Sequence, residues 1–156
     1  MSFEIKRLTV ESSLPASVAR LQFDFWGRLT GHDSADAYEQ FLHTAARSAE
    51  LPAVLVATCG EMFLGSVNLL VNEMTTRPAL SPWMAQLFVV NSARGRGVGN
   101  ALISASIDQA AKLGFRRTYL YTSGTLPAYY ASLGWRPIEE IEYLGKLRTV
   151  MTFEMS

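Results

Sequence analysis

A chain of 156 residues is the size of one domain, and 49% hydrophobic against 18% charged residues is the mix of a packed core, which excludes a disordered chain. The 14 Lys and Arg residues balance 14 Asp and Glu residues, which speaks against a general nucleic-acid binder and leaves any basic site local. The single cysteine excludes an intrachain disulfide, and with two histidines it makes no metal-ligand cluster.

From the N-terminus, "FEIKRLTV" alternates Phe3, Ile5, Leu8 and Val10 with polar residues and predicts a first strand. Residues 14–29 carry Leu14, Val18, Leu21, Phe25 and Leu29 at helical spacing. Gly31 breaks that pattern. Asp33 or Ser34 then caps a second helix with Tyr38, Phe41, Leu42 and Ala45 inward, and Pro52 ends the region. "AVLVATC" and "MFLGSVNLLV" read as strands joined by a hairpin-type turn at Gly60-Glu61, with Cys59 as a small core residue at a strand end. "NEMTTRPALSP" is a loop and "WMAQLFVV" the next strand. Residues 97–113 form a helix stopped by Gly114. "RTYLYT" is a strand, "SGTLPAYYASLGW" a loop and short helix ended by Gly134, and "RPIEEIEY" and "TVMTFEM" are closing strands. The expectation is one α/β domain over residues 1–156, with a central mixed sheet of about seven strands and about four flanking helices. "MSFEIKRLTV" lacks the apolar core of a signal peptide, and no apolar run approaches the roughly 20 residues of a membrane span. A cytoplasmic setting without a membrane partner is therefore expected.

The junction between "WMAQLFVV" and the helix after it carries Arg94, Gly95, Arg96, Gly97, Val98, Gly99 and Asn100. Glycine weakens both strand and helix, so this density calls for a close approach to the backbone. A Walker-type phosphate loop needs Lys-Ser/Thr after its last glycine, and no Lys follows Gly99. A dinucleotide fingerprint fails on glycine spacing, and Tyr119, Leu120 and Tyr121 stand where an acidic residue is needed. Arg94-x-x-Gly97-x-Gly99 does suit an anion. A helix N-terminus offers free N–H groups and about half a positive charge, the glycines leave access, and Arg94 and Arg96 add local charge.

That spacing after a strand resembles the pyrophosphate loop of the GNAT N-acetyltransferases. A second stretch, "AYYASLGWRP", resembles the family's aromatic segment, with Tyr130, Gly134 and Trp135 in the matching places. The resemblance covers nearly the whole chain. It implies a GNAT-type fold and direct acetyl transfer from acetyl-CoA to a primary amine, with no metal and no acyl-enzyme. It implies that main chain of Leu87, Phe88 and Val89 pairs with the pantetheine arm, and that Gly95 to Asn100 cradle the diphosphate. Tyr130 becomes the general acid for the leaving thiolate, since a phenol near pKa 10 and a thiol near 8.5 are close enough to exchange a proton. Neighbouring Tyr129 reads as packing, as do Leu126 and Leu133 around Tyr130.

Two departures stand out. Relatives often keep a glutamate on the fourth strand as base, whereas this chain has Gln86. Glu73, Glu142, His32, a water relay or an acceptor of low pKa remain open for that job, with Glu73 named first. Ser123 stands where relatives often carry an asparagine that contacts the cofactor. The acceptor is open among a small amine, an amino acid and a protein N-terminus, and homodimerisation is left open. Glu73, Glu139, Glu140 and Glu142 would suit a cationic acceptor; Phe25, Trp26, Trp83 and Tyr143 would suit an apolar one. The missing carboxylate keeps a second function open, a non-catalytic acyl-CoA-binding sensor or interaction module.

Overall fold

The computed structural model describes residues 2–10 and 34–155. Apolar alternation and helical spacing become β1 (Glu4–Arg7), α1 (Ala35–Arg47), β2 (Ala53–Cys59), β3 (Met62–Leu70), β4 (Trp83–Val89), α2 (Val98–Lys112), β5 (Arg117–Thr122), α3 (Leu126–Ser132), β6 (Arg136–Tyr143) and β7 (Lys146–Glu154). The helix expected over 14–29 lies outside the described residues. The seven strands form one mixed sheet in the order β1-β2-β3-β4-β5-β7-β6.

Strand alternation sends neighbouring side chains to opposite faces, so one strand feeds two cores. In β2, Val54 and Val56 pack with Tyr38, Leu42 and Ala45 of α1. Leu55 and Ala57 point the other way, into a core with Val98, Leu102 and Ile103 of α2. Each large side chain removed from water this way contributes roughly 1.5–3 kcal/mol. Helix α1 starts where Ser34 Oγ accepts a hydrogen bond from Ala37 N at 3.1 Å, so Ser34 is the cap. Past the other end of α1, the Arg7 guanidinium donates to the carbonyls of Ser48, at 2.9 Å, and Glu50. That contact ties β1 to the turn leading into β2.

Two strand limits differ from the sequence expectation. β1 stops at Arg7; Leu8 N still donates to Val54 O at 2.7 Å, but Val10 is 69% exposed. β7 begins at Lys146 rather than Thr149, because the hairpin turn at Leu144-Gly145 lets Tyr143 pair directly with Lys146.

The segment from Tyr130 to Trp135 closes α3 by a left-handed cap. Gly134 N donates to Ala131 O at 3.1 Å and Trp135 N to Tyr130 O at 3.1 Å. Gly134 sits at φ 100°, and a Cβ there would lie 3.0 Å from the Phe153 ring. The same turn stacks the Trp135 ring edge-on against Tyr130 at 6.1 Å. Gly134→Ala is expected to destabilise the domain by more than about 1 kcal/mol, from the forced left-handed backbone and the contact with Phe153. Urea unfolding of the two proteins measures it.

Candidate active site

β4 and β5 run parallel but share a single register pair, Trp83 with Tyr119. At that end Pro82 O accepts from Tyr119 N at 3.0 Å and from Thr118 Oγ1 at 3.2 Å, which holds the strands together. Further along, the β3 interval Ser66–Asn68 faces the longer β4 interval Ala85–Phe88, and Gln86 takes φ 50°. This is a bulge: one extra residue bends and twists β4. Past it, β4 and β5 line opposite walls of a gap.

The gap holds three spaces that share Leu126 in their walls. The outer one, about 630 Å³, is bounded by Leu87, Phe88, Val89, the turn before α2 and Tyr129. In that turn Gly97 caps α2 at φ 82°, a left-handed geometry that suits glycine. Ala101 N closes the first helical bond onto Gly97 O at 3.0 Å, so the N–H groups of Val98, Gly99 and Asn100 have no intrahelical acceptor. A Cβ on Gly99 would sit 3.8 Å from Val89 Cγ2, an ordinary contact, so this glycine leaves open space rather than relieving a clash. Arg94 Nε donates to Val89 O at 3.2 Å, which ties it to the end of β4, and Arg96 is exposed beside it.

Tyr130 borders the middle space, about 280 Å³, and is 8% exposed. Its hydroxyl has no hydrogen-bond partner among the described residues. Burial, with the neighbouring Tyr129, pushes its pKa up to about 12. Two expectations change here. Leu126 is 49% exposed along the gap, and the ring of Trp135 packs edge-on against Tyr130. Tyr129 borders the outer and middle spaces, where its hydroxyl donates to Asn100 Oδ1.

The inner chamber, about 140 Å³, has Glu73, Gln86, Ser123 and Arg148 in its wall. Gln86 Nε2 donates to Glu73 Oε2 over 3.4 Å. Asn68 Nδ2 donates to Gln86 Oε1 at 2.7 Å and to Tyr38 Oη at 2.7 Å. Asn68 thus fixes which end of the Gln86 amide meets the carboxylate. Burial raises the Glu73 pKa to about 7, and the bond from Gln86 offsets part of the rise. Burial raises the pKa of Tyr38 and of Tyr121, and the Glu73 charge adds to the rise in both.

The other acidic candidates are placed elsewhere. Glu139 is held by Arg77 through bonds of 2.6 and 2.7 Å, which lower its pKa and tie the loop before β4 to β6. Glu140 and Glu142 are exposed on β6 and border none of the three spaces. Trp83 is fully buried, donating Nε1–H to Leu80 O at 2.7 Å, so it is core rather than pocket wall. His32, Phe25 and Trp26 lie outside the described residues. Among the described residues no group of three or more His, Cys, Asp and Glu could hold a metal ion, and no helix is long and apolar enough to cross a membrane.

A family model described as the acetyltransferase (GNAT) domain matches residues 50–137. The chain belongs to the GNAT acetyltransferase family. No curated protein sequence matches it significantly. Among solved structures, this GNAT domain is similar to an aminoglycoside 6'-N-acetyltransferase complexed with coenzyme A, at 15% identity and a TM-score of 0.74, over 97% of this chain and 96% of that one. It is similar to yncA of Salmonella typhimurium with acetyl-CoA, at 16% identity and 0.72, over 100% and 95%. It is also similar to ElaA of Escherichia coli, at 16% identity and 0.69, over 98% and 100%. At these identities the likeness is one of fold.

Within this GNAT domain, sequence reasoning missed Asn68, Tyr121 and Arg148. A lone amide inside the apolar run "VNLLV" was a usable signal for Asn68. Arg148 lies in the charged stretch "GKLRT" and gave none. The Glu73 environment has a consequence for stability. Its raised pKa means the folded state resists ionisation: stability is full below the unfolded value near 4.3 and is lost as pH rises through about 7. Glu73→Gln is therefore expected to match the native protein near pH 5 and to exceed it by about 1–3 kcal/mol at pH 8. Thermal unfolding at both pH values reads the difference; equal stability at pH 8 would mean that Glu73 ionises freely.

Proposed function

We propose that this chain is an acetyl-CoA-dependent N-acetyltransferase that transfers the acetyl group directly to a primary amine. The observation that carries the reading is a run of three spaces with shared walls, bordered first by Leu87 to Val89 of β4 and the glycine turn of α2, then by Tyr130, then by Glu73. Coenzyme A and acetyl-CoA in the two structural neighbours support the outer space as the cofactor's place. There Leu87, Phe88 and Val89 present strand backbone that β5 does not cover. The turn from Gly95 to Asn100 offers N–H groups to a diphosphate, with Arg94 and Arg96 supplying charge. Ser123, in the wall of the inner chamber, has one hydroxyl to give to the cofactor's inner end or to the acceptor.

In the reaction, the amine lone pair forms a C–N bond to the acetyl carbon, the C–S bond breaks, and its electron pair leaves on sulfur. Glu73 takes the proton that the amine must lose. At a pKa near 7 its carboxylate is a better base than an ordinary glutamate by about two orders of magnitude, toward an amine near 10.4. Gln86 cannot accept a proton; its part is to hold Glu73. A carboxylate brought to β4 from the preceding loop favours turnover over a non-catalytic acyl-CoA-binding module. Tyr130, raised to about 12, stays protonated at neutral pH and is a weaker acid than a free phenol. Full transfer to a thiolate near 8.5 is uphill, so its main contribution is a hydrogen bond to the charge growing on sulfur. Cys59, half-buried at the end of β2, borders none of the three spaces, in keeping with direct transfer.

Gly99→Val places a branched side chain in the open outer space while the backbone there remains helical. Acetyl-CoA affinity by calorimetry is expected to fall about tenfold or more with little change in Tm. Unchanged affinity would remove the turn from the cofactor site.

Tyr130→Phe is expected to lower kcat roughly 10²-fold and leave acetyl-CoA affinity nearly intact. Glu73 must be ionised to act, so kcat should be present above about pH 7 and fall as pH drops below it. Glu73→Gln should remove that acidic limb along with most of the rate. Tyr130 should impose no basic limb below about pH 11. Full activity in Tyr130→Phe would reduce that residue to packing.

A further inference from the structure

Arg148 is buried to 9% exposure, yet it has no carboxylate partner among the described residues. Its Nε donates to Tyr143 O at 3.1 Å, and its guanidinium carbon lies 5.5 Å from the centroid of the Tyr121 ring. Two other arginines do find acids: Arg77 meets Glu139 at 2.6 Å and Arg136 meets Glu154 at 2.8 Å. A buried cation left without an anion is costly, and Arg148 borders the same inner chamber as Glu73. With Nε occupied, the two terminal nitrogens remain for a ligand. Their planar fork matches a carboxylate through two parallel hydrogen bonds.

We propose, resting on the N-acetyltransferase reading above, that the acceptor is a small amino carboxylate, an amino acid or close analogue, whose carboxylate pairs with Arg148 while its amine lies by Glu73. Charge supports this choice. A zwitterionic acceptor brings one positive and one negative charge to a chamber walled by one of each. A simple amine leaves Arg148 unpaired. A phosphate dianion adds surplus negative charge beside Glu73. Size supports it as well, since about 140 Å³ suits the head of an amino acid. A protein N-terminus has its first carboxyl tied up in a peptide bond and offers Arg148 no anion at that distance.

The test is thiol release from acetyl-CoA over matched acceptor sets: free amino acids, their carboxamides and their decarboxylated amines. The native protein should prefer the free acid by roughly 10²-fold in kcat/KM over both matched forms. In Arg148→Gln that preference should collapse toward unity, and Arg148→Lys, which keeps charge but loses the fork, should fall between. The native comparison stands by itself if a variant fails to fold. Carboxamides or decarboxylated amines used as well as the acids by the native protein would overturn the carboxylate inference and leave N-acetyl transfer intact. A preference that survives in Arg148→Gln would do the same. Acetyl-CoA binding with no acetylation of any acceptor would overturn the N-acetyltransferase reading, and this inference with it.

Discussion

The bulge at Gln86 is the constraint on which the rest of the site depends. β4 and β5 are parallel neighbours joined at one register pair, Trp83 with Tyr119. Had β4 stayed regular, its inner edge would have continued to pair with β5, and Leu87 to Val89 would not line the outer space. The left-handed Gln86 breaks that ladder. Backbone of this kind persists only where its surroundings hold it, and the bond from Asn68 to the Gln86 amide is one such hold. The distortion that opens the gap thereby also aims an amide at Glu73.

Glu73 shows how this domain manages a carboxylate away from water. Burial penalises its charged form, and a single long hydrogen bond from Gln86 only partly compensates. Glu139, by contrast, is paired with Arg77 and held well ionised. Glu73 lies in the loop between β3 and β4, and Arg77 of the same loop reaches Glu139 on β6. The Arg77–Glu139 pair anchors that loop to β6, while Glu73, with no ion pair among the described residues, is left poised near neutrality. Tension of this sort, stability forgone to keep a group reactive, is a mark of functional sites.

The aromatic segment of α3 has a backbone reason as well as a chemical one. Tyr130, Gly134 and Trp135 are spaced so that the last turn of a short helix closes on itself, with Trp135 N returning to Tyr130 O. The ring of Trp135 then braces the ring of Tyr130 at the edge of the middle space. A seven-residue helix is too short to hold a side chain rigidly by itself, so the cap and the Phe153 and Trp135 contacts do so.

What the sequence by itself determined was whatever a contiguous segment encodes. The seven strands, a cap at Asp33 or Ser34, the hairpin turn at Gly60-Glu61, the glycine turn of α2 and the closure of α3 are all short-range matters of period, cap and turn chemistry. The two motifs that carry the family are local for the same reason. The tertiary structure decided which side chains meet. Glu73 from a loop, Gln86 from β4, Asn68 from β3 and Arg148 from β7 share a network or a chamber only because the sheet order and one extra residue in β4 bring them together. A shift of one residue in strand register would have sent Asn68, Gln86 or Arg148 to the opposite face. Register is set by the whole packed sheet, so Glu73 could be named from its sequence neighbourhood only as one candidate among several, and Arg148 could not be named at all.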